Sequence, residues 1–187
     1  MSVPTVDVHA HAGVPAVDAL VEGQSGLARQ RETDAATLCR ASLSVNLKQI
    51  AELGPKLVDL DLRLAAMDAA RVQVQAVSAV PLPHAWADRE LATRIIAVVN
   101  EGIAALCAKE PTRLLPIGAV ALQHPDLAVG QLVTAVRDLG MRGCRSRPPP
   151  ARAGNSTTRR WPTSGRPPRN WAPPCSSTPG AAPSARG

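Results

Sequence analysis

Between residues 59 and 140 the apolar residues alternate between two spacings, and this alternation limits the chain to one class of fold. From Asp59 to Ala70 the residues are helix-forming, and Leu60, Leu64 and Met67 share one helical face. Arg71 to Val80 changes to a period of two: Val72, Val74, Ala76 and Ser78 alternate with Gln73, Gln75, Val77 and Ala79, and Pro81 and Pro83 close the strand. Asp88 to Lys109 returns to helical spacing, with Ala92, Ile95, Ile96, Val99, Ile103 and Leu106 forming a stripe that Pro111 stops. Leu114 to Leu122 is a continuously apolar run of the kind buried in parallel sheets. Pro125 suits the first turn of another helix, Leu132, Val136 and Leu139 give its core face, and Gly140 caps it. This is the rhythm of βαβ units and hence of a parallel α/β sheet. A Rossmann-like sheet and a (β/α)8 barrel both satisfy it. No G-x-G-x-x-G follows any strand, which weakens the dinucleotide reading.

Ahead of this rhythm, Val6-Asp7-Val8-His9-Ala10-His11 reads as a buried first strand ended by Gly13 and Pro15. Alternate residues of a strand share a face, so His9 and His11 can reach one metal ion together. Neutral imidazole is the commonest protein ligand for zinc and similar divalent ions, and the pair supplies two of the three or four ligands usually needed. Alone, such a pair is more often two solvated strand histidines. Asp7 is expected on the opposite face of the strand, with a structural role. His84, in the loop after the second strand, is expected to be solvated, with substrate contact the minority reading. His124 is expected to cap the helix that begins at Pro125 or to lie in solvent. Residues 16 to 56 read as a polar, loosely helical insertion without a sustained period.

Composition narrows the classes of function. With no Phe, no Tyr and three Trp, the core must be built from Ala, Val, Leu and Ile. The net charge of +6 suggests nucleic acid until it is located. Residues 145–187 hold eight Arg, ten of the eighteen Pro and no acid, so the body is mildly acidic and only the tail is basic. That composition reads as a disordered tail. Its arginines, with Trp161 and Trp171, make a weak case for single-stranded nucleic acid, and no nucleic-acid partner is expected. Cys39, Cys107, Cys144 and Cys175 lack C-x-x-C spacing, which points to reduced thiols and a cytoplasmic location. Cys39 and Cys107 read as small apolar residues. No signal segment is present and no apolar run approaches a membrane span, so no membrane partner is expected.

Four blocks then carry a resemblance: VDVHAH at the start, RLAAMDAARVQVQAVSAVP at 63–81, NEGIAALCAKEPTRLLPIGAVALQHPDLA at 100–128, and AVRDLGMRG at 135–143. They resemble the metal-dependent amidohydrolase superfamily, in the branch of aminocarboxymuconate-semialdehyde decarboxylase. The resemblance implies a (β/α)8 barrel, of which residues 1–143 would form about the first three βα units. It implies a divalent metal, usually Zn2+, held partly by His9 and His11 at the C-terminal end of the first strand. It implies loss of carboxylate from a conjugated or aromatic carboxylic acid, and allows a homodimer in an intact member. A hydrolase of the same superfamily and a non-catalytic fragment are the alternatives. Members carry a further histidine ligand, a catalytic histidine and a metal-binding aspartate on later strands, which this chain ends too soon to supply. Arg71 stands where the family generally has glycine, in a helix-to-strand turn that favours Gly.

The tail, residues 144–187, has a second explanation in the genetic code. Joining the third base of each codon to the first two of the next lets residues 160–181 read L-A-D-F-W-A-A-A-E-E-L-G-A-A-V-L-V-H-P-W-G. Three of those letters allow no choice: Trp161 with Pro162 forces Ala, Asn170 with Trp171 forces Leu, and Trp171 with Ala172 forces Gly. The string is a helix followed by a Val-rich strand ending in His-Pro, as the family would continue. A frameshift near residue 144 is therefore expected, leaving a truncated and inactive form.

Overall fold

The structure is a computed structural model and describes residues 3–37, 40–81 and 84–145. The readings made of Cys39, Cys175 and the tail beyond Arg145 lie outside the described residues. In chain order the elements are β1 (Val6–Ala12), α1 (Pro15–Val21), α2 (Ser25–Thr37), α3 (Arg40–Val58), α4 (Leu60–Ala69), β2 (Val74–Ala79), α5 (Arg89–Cys107), β3 (Leu114–Ala119), α6 (Pro125–Arg137) and β4 (Cys144–Arg145). The strands make one sheet in the order β1-β2-β3-β4, and every pairing is parallel. Each crossover is helical, as the alternating periods require. The sheet is the N-terminal portion of a (β/α)8 barrel.

Local chemistry sets the helix ends. The carboxylates of Asp59 and Asp88 accept from the N–H groups of Leu62 and Leu91, each at 2.9 Å, and so start α4 and α5. Pro125 opens α6, where Asp126 pairs with Arg89 of α5. The C-cap of α6 is Asp138 rather than the expected Gly140, which takes φ +65° in the turn just beyond it.

The predicted stripe of α5 is the main core face: Ala92, Ile95, Ile96, Val99 and Ile103 are buried, joined by Leu91 and Cys107, while Leu106 is only partly buried. Asn100 lies on the same face. Its side chain donates to the carbonyl of Ala119 at 3.0 Å and accepts from the Ala119 N–H at 2.7 Å, closing the end of β3. With no Phe or Tyr, the sheet and helices meet through Ala and Val, and Met67, Ile103 and Leu114 are the largest fully buried side chains. Gly118 belongs to this close packing, because a Cβ there would meet Met141 Sδ at 2.4 Å.

Three expectations change. The first strand is not buried throughout: Val6 and Val8 are 46% and 78% exposed, since β1 is an edge of the described sheet and nothing among the described residues covers that face. On α6, Leu132 and Val136 are exposed, and the helix buries Ala128 and Ala135 instead. Periodicity identified its apolar face but not which side meets a neighbour. The insertion is three well-formed helices, and its period is unreadable because Val45, Leu47 and Ile50 of α3 face outward.

Arg71 follows α4 with φ +56°, the only non-glycine residue with positive φ among those described. The turn therefore demands the glycine conformation while carrying a long side chain. Replacing Arg71 with Gly is expected to stabilise the fold by about 1 kcal/mol, a rise in Tm of about 2–4 °C for a chain of this size. Thermal melts of Arg71→Gly beside the parent check it, and an unchanged or lower Tm contradicts it.

Candidate metal centre

His9 and His11 stand toward the C-terminal end of β1, with ring centroids 4.9 Å apart and planes at 77°. The ladder to β2 is irregular between Asp7 and Ala10 and regular again where His11 pairs with Ser78. At the irregularity the His9 N–H donates to Asp7 Oδ1 at 3.0 Å, a side chain taking the place of a strand partner. Asp7 thus has the expected structural role, and the irregularity sets its side chain against Gln75 while the ring of His11 meets Ser78, three residues further along β2 and so on the other face. Asp7 lines an open cleft of about 210 Å³ with Lys56, Arg63 and Gln75.

The surroundings of His11 favour one tautomer. Its Nδ1 lies 3.1 Å from Ser78 Oγ, and that hydroxyl lies 3.4 Å from the carbonyl of Ala10. On the other side Arg145 Nη1 sits 3.1 Å from Nε2 and 3.4 Å from Nδ1. A guanidinium only donates and here reaches both ring nitrogens, so the direction is read from Ser78: its hydroxyl donates to the Ala10 carbonyl and is placed to accept from Nδ1–H, which leaves the Nε2 lone pair facing Arg145. Burial first, then the Arg145 cation and His9, lower the pKa of His11, and the neutral ring is favoured. A neutral imidazole with a bonded Nδ1–H and an Nε2 lone pair is the form that ligates metals.

The donor chemistry therefore fits a divalent ion, as a half-site. Among the described residues no group of three or more His, Cys, Asp or Glu converges as a metal cluster. Arg145, moreover, addresses the nitrogen that an ion would use.

The other predicted histidines stand apart from the pair. His84 is buried rather than solvated, with its ring 5.5 Å from that of Trp86. Burial lowers its pKa against a smaller opposing effect of Asp18. The ring of His124 bonds the carbonyl of Ala87 through Nε2 at 3.2 Å, and it begins α6 without a side-chain cap. Cys107 is buried and its thiol is pushed up to about 11, as suits an apolar packing residue. Ser78, Arg63 and Arg145 escaped the sequence reading. Arg63 alone left a signal there, since it shares the apolar face of α4 with Leu60 and Met67.

Comparison with known proteins agrees with this architecture. The family model described as Amidohydrolase matches residues 6–172. Gamma-resorcylate decarboxylase of Rhizobium sp. (strain MTP-10005) is 39% identical over 94 residues, covering 49% of this chain and 29% of that protein. The 2-amino-3-carboxymuconate-6-semialdehyde decarboxylase of Caenorhabditis elegans is 30% identical over 127 residues, covering 66% of this chain and 31% of that one. A crystal structure of 2,6-dihydroxybenzoate decarboxylase complexed with 2,6-dihydroxybenzoate superposes with a TM-score of 0.56 at 27% identity, over 76% of this chain and 39% of that chain. The chain thus spans under a third of the length of these curated relatives.

Two substitutions test the centre through metal binding. Ser78→Ala removes the partner of Nδ1 and is expected to weaken Co2+ binding about tenfold. Arg145→Ala removes a cation from the ligand nitrogen and is expected to tighten it by about the same factor. Absorbance titration with Co2+ measures both, and equal affinities in the two variants and the parent would contradict the assignment.

Proposed function

The chain belongs to the amidohydrolase family, and from that premise we propose that it carries the first half of the metal site of a carboxy-lyase acting on an aromatic or conjugated carboxylic acid. The observation that carries the proposal is the placing of the His11 ring, with Nδ1 3.1 Å from Ser78 Oγ and its centroid 4.9 Å from that of His9. The decarboxylases among the relatives support the reaction class. His9 and His11 would hold the ion, zinc being the first candidate, since imidazole ligands suit it. When bound, such an ion supplies positive charge that neutralises the acid and polarises its oxygens. Ser78 keeps the His11 ring in its ligating tautomer, and the β1–β2 pairing sets where that ring stands.

A second reading is favoured by the lack of a third converging ligand among the described residues and by Arg145 on His11: the polypeptide as written is non-catalytic, a partial barrel over residues 1–143 followed by an out-of-frame tail. The frame bears directly on the site. Read in the shifted frame, Cys144 with Arg145 gives Ser, Pro, Gln or a stop, none of them cationic. Restoring the frame would therefore remove the competitor from His11.

The sequence-verified chain and a frame-restored version, each incubated with Zn2+ or Mn2+ and 2,6-dihydroxybenzoate or related acids, separate these readings. Carbon dioxide release is expected from the restored protein, lost on His9→Ala or His11→Ala, and none from the chain as written. Hydrolysis of an ester, lactone or amide without decarboxylation would instead identify a hydrolase of the same superfamily. Gene sequence across codons 140–190 checks the frame independently.

A further inference from the structure

Arg63 is buried, at 6% exposure, and neither of the ion pairs found among the described residues involves it. Its Nη2 donates to the carbonyl of His11 at 2.6 Å and, more loosely, to that of Leu57 at 3.5 Å, while Nη1 donates to Gln75 Oε1 at 3.0 Å. The other end of the Gln75 amide donates to Asp7 Oδ2 at 3.1 Å, and Asp7 Oδ1 accepts from the His9 N–H. A cation on α4 and a carboxylate on β1 are thus joined through one amide of β2, and both ends of the chain of bonds finish on the backbone of the histidine pair. The segment between those two ends overlaps the irregular stretch of the β1 ladder, Asp7 to Ala10. Backbone at such a point is not fixed by strand pairing and must be held by something else.

We propose that Arg63, Gln75 and Asp7 form a positioning relay that fixes the irregular stretch of β1 and so aims His9 and His11 at one ion; this rests on the metal-centre reading above. None of the three touches the ion. Gln75 is the direction-setting member: its oxygen must face Arg63 and its nitrogen must face Asp7.

That polarity supplies a test by reversal. Gln75→Glu sets a second carboxylate against Asp7. Asp7→Asn leaves two amides facing each other, so that the Gln75 side chain must turn a donor either on the new amide or on Arg63. Together the two changes restore every bond. Arg63 then donates to the carboxylate introduced at position 75, and the amide nitrogen introduced at position 7 donates to that same carboxylate. The His9 N–H donates to the amide oxygen at position 7, and the net charge is unchanged. Two readouts on the full-length protein follow the reversal: the Co2+ dissociation constant by absorbance, and amide exchange at His9 by NMR.

Each single variant is expected to bind Co2+ about 10–100-fold more weakly and to exchange the His9 amide about tenfold faster or more. The double variant is expected to return within about threefold of the parent on both measures. Should the single variants fail to fold, the double variant must still fold and bind. Single variants that match the parent, a double variant no better than the worse single, or a changed amide with unchanged Co2+ affinity would each overturn the proposal. If the parent binds no Co2+, or binds it equally after His9→Ala and His11→Ala, the metal-centre reading fails by itself. Exchange at the His9 amide still decides whether the relay fixes the strand.

Discussion

A guanidinium taken out of water must be solvated by the protein, and in this fold that demand falls on β1. Removing an ion from water costs several kcal/mol even after relaxation, and Arg63 is 6% exposed. The carbonyls of His11 and Leu57 and the amide of Gln75 carry that load. Because those acceptors belong to β1, the end of α3 and β2, one buried charge ties three separate parts of the chain together. Burial lowers the Arg63 pKa, while Cys107 and Asp7 act the other way. The Asp7 carboxylate is therefore part of what makes the buried cation tolerable.

The parallel architecture was legible because each strand and helix repeats its own period over a full element, and the stripe of α5 alone identifies the largest piece of core. The histidine pair was legible as two letters, and its chemistry was not. Which nitrogen carries the proton depends on Ser78, which is 67 residues away, and on Arg145, which is 134 residues away. Such contacts follow from strand register rather than from local pattern. Arg63 stood in view on an apolar helical face, but a charged letter is ordinarily assigned to solvent. The misplaced face of α6 has a simpler cause: spacing reports that one side of a helix is apolar and carries no information on what covers it.

The lack of Phe and Tyr shapes the energetics as well as the packing. Small side chains let sheet and helices approach closely, as at Gly118, but each contributes little buried area, at roughly 25 cal/mol per Å². Directed polar contacts consequently matter more here than in an aromatic core. The two hydrogen bonds of Asn100 to Ala119 and the Arg63 relay fasten helices to strands, and the pairing of Arg113 with Asp68 fastens the loop before β3 to α4.

The uncovered side of β1 and the outward valines and leucine of α6 also bear on how long such a chain lasts in a cell. An edge strand with Val6 and Val8 turned out offers main-chain hydrogen bonds and apolar surface at one place, the combination that recruits chaperones and proteases. Where folding is slow, such an edge sets a competition between folding and clearance.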